Sequence, residues 1–403
     1  MVNSAKTGPL QGLRVLDLST VIAGPFGATL LGDFGAEVIK VELPGKGDPL
    51  RGLGPYHKGE GLRWIGLSRN KKSLTLDLRK EEGKEILRKM VKKTDIIIEN
   101  FRTGTLEKWG IGYEQLKEYN PDLVMVRVTG YGQTGPYAYK AGFGTPATAF
   151  SGYTYLHGYP DRAPMSPSFS LADYVTGIYV AFAAISAIYH RDKSIENKGQ
   201  FVDIGLYESM FRMMEFLVTD YDQTGRIKER SPGLSGHSAP AGIFQTKDKH
   251  WVVIVTSSDR TFERLAKVIG REDMLTDERY HTNAERMKRF EEVNGILADW
   301  VARKRRDEIQ KLFDENGVPV SPVYSIKDIF EDPHYQAREN IVEVEHPRLG
   351  KVKIPGVVPK FSETPGSIHQ KAPDLGEHSE TILQELVGLD EDSIKELKDK
   401  GVI

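Results

Sequence analysis

The chain has 403 residues, a formal net charge of −2, 39% hydrophobic and 28% charged residues, and no cysteine. The length allows two or three domains of roughly 100–200 residues each, and the balanced charge lacks the basic excess of a nucleic-acid-binding surface. The absence of cysteine excludes disulfides, thiolate zinc sites, iron–sulfur clusters and a thiol nucleophile, and it fits a reducing compartment.

The first twelve residues contain no apolar h-region, so no signal peptide is expected. The longest apolar stretch, 177–189, falls short of the ~20 residues that span a bilayer and reads as a buried helix. The expectation is a cytoplasmic protein with neither a membrane nor a nucleic-acid partner.

In chain order, residues 13–18 read as a strand, 25–33 as a glycine-punctuated helix, 37–42 as a second strand and 73–78 as a third. Residues 81–93 carry Ile86, Leu87 and Met90 at helical spacing, and 95–99 and 123–128 are β-branched or apolar runs. This alternation predicts βαβ units and a mainly parallel, Rossmann-like sheet. Residues 131–165 read as a layered loop region. The Gly/Ser/Pro-rich segment 223–241 precedes a strand at 251–255 and helices at 260–268, 285–304 and 306–316, a smaller α+β domain. The predicted organisation is a large domain over 1–220, a small α+β domain over 221–330, and a segment over 331–403 that returns to the large domain.

Ligands of parallel sheets bind beyond the carboxyl ends of the strands. Those ends are residues 19–25, 100–104 and 129–132, rich in glycine and small polar residues. Common cofactor signatures are missing: the glycines after the first strand do not form G-x-G-x-x-G, Gly45-Lys46-Gly47 is not a phosphate-binding loop, and His281, His334, His346 and His378 lack metal-ligand spacing. No tightly bound cofactor and no metal are expected. Lys71, Lys72, Asn100, Phe101, Arg102, Lys108 and Lys140 offer the cations and ring that a nucleotide with several phosphates requires, although surface lysines are commonly just solvated.

Ser170-Leu171-Ala172-Asp173 precedes the apolar run and has the S-x-x-D form of a helix cap. Asp173 is then either a capping carboxylate or, in the same geometry, an ionised nucleophile held at a helix start beside an apolar helix.

Several segments in order resemble the class III CoA-transferases, the family of carnitine CoA-transferase and formyl-CoA transferase. They are 12–25, 31–42, 70–78, 99–104 (with Thr103 where proline is usual), 171–174, 375–378 and 400–403. The resemblance implies an α/β fold: a large Rossmann-like domain built from both chain ends, a smaller inserted domain, and an interlocked homodimer. It implies an exchange of coenzyme A between an acyl-CoA donor, such as succinyl-CoA, and a carboxylic acid acceptor, with coenzyme A as substrate and Asp173 carrying the acyl group. It places CoA contacts on Ile22, Ala23, Lys71, Lys72, Asn100, Phe101, Arg102, Thr105, Lys108 and Lys140, and acceptor contacts on Gly236 and His237. Leu43 and Lys108 stand where some members carry arginine, and Ser235–Ser238 departs from the family's active-site loop. An α-methylacyl-CoA racemase needs an acid–base group on each face of its α-carbon; here the corresponding segment is Ala141-Gly142-Phe143-Gly144, and Phe143 holds no proton. A non-catalytic CoA-binding protein is the other alternative.

Overall fold

The computed structural model describes residues 8–196, 198–231, 238–256 and 258–403. The chain divides into two compact units. The first comprises residues up to Thr154, Ser166–Ile227 and Ala337–Ile403; the second comprises Tyr155–Met165 and Lys228–Gln336. Residues 155–165, assigned above to the large domain, therefore belong to the second unit.

The first unit is built on a six-stranded parallel sheet. Its strands are β1 (Arg14–Asp17), β2 (Glu37–Glu42), β3 (Lys71–Thr75), β4 (Ile96–Glu99), β5 (Val124–Thr129) and β6 (Phe201–Gly205). Their spatial order is β3-β2-β1-β4-β5-β6. The chain thus builds outward from β1 in one direction, returns, and builds outward from β4 in the other. The switch falls between β1 and β4, where a crevice opens at the carboxyl ends.

Alternation along each strand feeds two cores. Val15, Ile96, Ile98, Val124 and Val126 face one side, and Leu16, Ile97 and Met125 face the other. The first side is covered by α1 (Ala23–Asp33) and the 23-residue α5 (Leu171–Lys193). The second side carries α3 (Glu81–Val91) together with Ile382, Leu383, Ile394 and Val402 from the end of the chain. Helix α2 (Leu62–Leu67) and α4 (Gly144–Phe150) flank the crevice. The region 131–165 is thus partly helical, where the sequence suggested loop.

Helix α5 is longer than its apolar stretch suggested, and by length and composition it could cross a membrane. In this fold one face is packed tightly on α1. A Cβ added at Gly177 would lie 2.9 Å from the Ala23 carbonyl oxygen, so only glycine permits that approach. The opposite face leaves Ile178, Phe182 and Tyr189 exposed.

The second unit has an antiparallel three-stranded sheet, β7 (Ala241–Gln245), β8 (Trp251–Val255) and β9 (Val320–Pro322), with β8 central. Phe244, Val252, Ile254, Leu265, Leu297 and Phe313 form its core, contributed by the sheet and by helices Asp259–Val268, Phe290–Val301 and Arg306–Asn316. A two-stranded hairpin, β10 (Ile341–His346) and β11 (Gly350–Pro355), leads back into the first unit.

Candidate active site

The loop after β1 and the loop after β4 are tied across the switch point. The Thr20 N–H donates to Asn100 Oδ1 and Asn100 Nδ2 donates to the Thr20 carbonyl, both at 2.8 Å. Val21 adopts φ +69°, a conformation unfavourable for a β-branched residue. It is held there by its N–H, which donates to Asp48 Oδ1 at 3.0 Å.

Asp48 belongs to a buried ionic cluster. Its other carboxylate oxygen lies 3.0 Å from the Lys40 ammonium, which also donates to the Ser19 carbonyl. Asp17 pairs with Lys71 at 3.0 Å. Burial alone would raise the Asp17 carboxyl, but Lys40, Lys71 and the Ser19 hydroxyl together hold it below its ordinary value. The two lysines therefore brace the loop from beneath.

A crevice of about 440 Å³ opens above these loops. Ile22, Ala23, Asn100, Phe101, Arg102, Lys140 and Asp173 all line it, so seven of the residues singled out in the sequence share one site. A second cavity of about 420 Å³ adjoins it, sharing Thr20 and Phe101 and lined also by Leu43, Lys46, Leu76, Arg79 and Trp109. The Phe101 ring packs edge-on to Trp109, with centroids 5.3 Å apart. The Lys140 ammonium lies 3.4 Å over the Tyr137 ring, and both side chains are exposed.

Asp173 stands in the first turn of α5, whose N-cap residue is Ser170. The capping arrangement suggested by S-x-x-D does not form, because the Ser170 side chain makes no cap hydrogen bond. Nor does the helix start keep the carboxyl at its ordinary acidity. Burial pushes it up to about 6, opposed only by a hydrogen bond from its own N–H, and no cation pairs with it among the described residues. Desolvation outweighs the helix terminus here. Oδ2 occupies the place where a Cβ of residue 144 would be: a Cβ built on Gly144 would lie 2.0 Å from it. Glycine at that position makes room for the carboxylate.

Other expectations are corrected or displaced. Lys71 is 0% exposed, donates to Asp17 and to the Pro25 carbonyl, and lines neither cavity, so it is a core cation. Alternation along β3 sends Lys72 the other way, where it pairs with Glu37 at 2.6 Å and lines neither cavity. Thr105 and Lys108 lie on the short helical turn Thr105–Lys108 and line neither cavity; Lys108 is exposed. The Asn100 amide is committed to Thr20. Gly236 and His237 lie outside the described residues. The crevices also hold Arg63 and Arg79, which carry no motif in the sequence, and Lys46, whose Gly45-Lys46-Gly47 segment reads there only as a turn. Arg79 follows the carboxyl end of β3, and the rule that ligands gather at strand ends would have found it.

The fold and the site define an α/β protein with a switch-point crevice and a desolvated carboxylate inside it. The family model of CoA-transferase family III matches residues 10–379. The succinyl-CoA–D-citramalate CoA-transferase of Chloroflexus aurantiacus is 43% identical over 396 residues, covering 98% of each chain. The beta subunit of the succinyl-CoA–L-malate CoA-transferase of the same organism is 44% identical over the full length of both chains. The succinyl-CoA:glutarate CoA-transferase of Homo sapiens is 32% identical over 98% of this chain and 90% of its own. A solved CaiB/BaiF family protein from Brucella suis superposes with a TM-score of 0.83 at 32% identity, covering 94% of this chain and 100% of that one. The chain belongs to CoA-transferase family III, and it is an enzyme of that class.

Proposed function

We propose that this enzyme moves coenzyme A from succinyl-CoA to a dicarboxylic acid through covalent intermediates on Asp173. The observation that carries the proposal is the Asp173 carboxyl itself, half-buried in the crevice, paired with no cation among the described residues and pushed up to about 6. At pH 7 such a group is about 90% ionised, yet poorly solvated and hence nucleophilic. The named substrates of the relatives, succinyl-CoA with citramalate, malate or glutarate, support the substrate class.

Asp173 attacks the donor thioester carbonyl, the C–S bond breaks, and the CoA thiolate leaves behind a mixed anhydride. The thiolate then attacks the aspartyl carbonyl and expels the donor acid, leaving an aspartyl-CoA thioester. The acceptor carboxylate attacks that thioester, and the released thiolate attacks the acceptor's acyl carbonyl, which restores the Asp173 carboxylate. Each step exchanges one activated acyl bond for another. Backbone N–H groups of the glycine-rich crevice loops stabilise the oxyanions, and the enclosing walls limit hydrolysis.

In this reading the nucleotide lies in the second cavity, between Leu76, Arg79, Phe101 and Trp109, and the pantetheine arm passes Thr20 to reach Asp173. The enzyme works in the cytoplasm as an interlocked homodimer; the exposed apolar face of α5 and exposed Phe211, Met213 and Phe216 further along the chain support association of subunits, and the interlocking follows the family resemblance alone. The racemase alternative finds no support, since Phe143 in the crevice is apolar. The test is hydroxylamine trapping during turnover with succinyl-CoA. A hydroxamate on the peptide containing Asp173 is expected; its appearance on another carboxylate, or on none, refutes the mechanism.

A further inference from the structure

The crevice holds a second charged group whose environment is as unusual as that of Asp173. Arg63, on α2, lines the same crevice and is half-buried. Its Nε donates to the Gly54 carbonyl at 2.9 Å, which fixes the plane of the guanidinium. That is its one hydrogen bond among the described residues, and no carboxylate pairs with it.

The other well-covered arginines of this unit behave differently. Arg51 pairs with Glu42, Arg69 with Asp33, Arg127 with Glu99 and Arg191 with Asp95, each within 2.9 Å. The general rule for a half-desolvated guanidinium is a bidentate acid partner, because the fork matches a carboxylate and leaving it unmatched is costly. At Arg63 the chain supplies no such partner. Arg63 lines a cavity instead of meeting a protein acid.

The position of the fork is also informative. Its charge reaches Tyr174, where it opposes the rise in the phenol that burial causes. Tyr174 is the residue after Asp173, yet Arg63 makes no ion pair with Asp173 itself. Cation and nucleophile therefore stand in one crevice with a gap between them.

We propose that Arg63 binds the distal carboxylate of the acyl group and of the acceptor acid, so that the substrates are short dicarboxylic acids read at both ends. This rests on the transferase reading given above. One carboxyl, as thioester or free acid, reacts at Asp173, while the other sits in the Arg63 fork. A monocarboxylic acid of the same length leaves the fork unpaired. The other cations of the crevice, Arg102 and Lys140, are exposed and are left to the phosphates of CoA.

The experiment uses the full chain, with succinyl-CoA as donor and two five-carbon acceptors, glutarate and pentanoate. In a ping-pong scheme, kcat/KM for the acceptor reports only its own half-reaction, so any effect on the donor cancels. The wild type is expected to favour glutarate by roughly 10–100-fold, the value of a charge-assisted hydrogen-bonded pair. Arg63→Gln should lower kcat/KM for glutarate by that factor, leave pentanoate within about twofold and leave the affinity for free CoA unchanged. Arg63→Lys keeps the charge without the fork and should fall between the two. It also serves as the second variant if the glutamine form does not fold. An equal loss for both acids in a folded variant, or a ratio that does not move, overturns the proposal. So does a weakened affinity for free CoA, which would assign the fork to a phosphate. If the wild type transfers CoA from succinyl-CoA to no dicarboxylic acid, the substrate reading proposed above fails, and this assignment fails with it.

Discussion

Replacing Asp173 with asparagine should abolish transfer and, above pH 6, stabilise the protein. The wild-type carboxyl is pushed from 3.8 to about 6 by burial. The native state therefore binds this proton more tightly than the unfolded chain does, and the stabilisation that brings is fully present below the unfolded value of 3.8 and lost as pH rises through about 6. At about 1.36 kcal/mol for each tenfold change in proton affinity, the ionised group costs up to about 3 kcal/mol at neutral pH. Water reaching the crevice reduces this to about 1–3 kcal/mol. The asparagine side chain carries no charge and escapes that cost. Thermal unfolding of both proteins between pH 4 and 8 tests this: the variant should melt several degrees higher at pH 8, and the difference should close towards pH 4. A variant that is less stable at pH 8, or a difference that does not depend on pH, refutes the account of Asp173 as a desolvated carboxylate.

Further outcomes follow from the same geometry. The acid limb of kcat/KM for the wild type should titrate near pH 6, with activity falling as Asp173 takes up its proton; a limb near pH 4 would show a solvated nucleophile. Gly144→Ala should fold, since the carboxylate at 2.0 Å is a movable side-chain end, but kcat should fall by about 100-fold as Oδ2 is displaced; unchanged kcat with an intact melting temperature counts against that contact. Lys71→Met should destabilise the protein by about 3–5 kcal/mol, because Asp17 loses a buried partner; an unchanged melting temperature with a raised KM for acyl-CoA would restore Lys71 as a phosphate contact. Lys108→Ala should leave KM for both acyl-CoA and the acid unchanged, because Lys108 is exposed and lines neither cavity; a rise for acyl-CoA alone would restore it as a phosphate contact.

Strands β2 and β8 were legible in the sequence because Glu37–Glu42 and Trp251–Val255 are compact runs rich in β-branched residues. Strand β6, Phe201–Gly205, was not, because its five residues include a central aspartate and two that are exposed, and its pairing with β5 exists only in three dimensions. Asp173 was visible as the acid of an S-x-x-D motif, but its environment was not: the same pattern serves a cap in water or a nucleophile in a crevice. The pair Lys71-Lys72 shows the opposite failure. Two adjacent lysines look like one basic patch in a sequence, yet a strand sends them to opposite faces, one into the core. Arg63 carried no signal at all, because what distinguishes it is the lack of an acid partner, and partners are set by tertiary packing.

The outer edge of β3 has a consequence for synthesis. That edge is closed by residues that come late in the chain: the Asn70 amide binds at Ser367 and His369, the His378 N–H donates to the Ser73 carbonyl, the Ser379 hydroxyl meets Thr75, and the Asp77 N–H donates to the carbonyl of Val402. About 300 residues separate the strand and its flanks from these partners. At roughly 5–20 residues per second, a ribosome takes about 15–60 seconds to supply them. Throughout that interval β3 has an open edge, the feature most prone to pairing with a neighbouring nascent chain. Expression yield should therefore depend on how quickly the last forty residues emerge, and silent codon changes that slow translation of the second unit should increase the insoluble fraction without altering the enzyme that does fold.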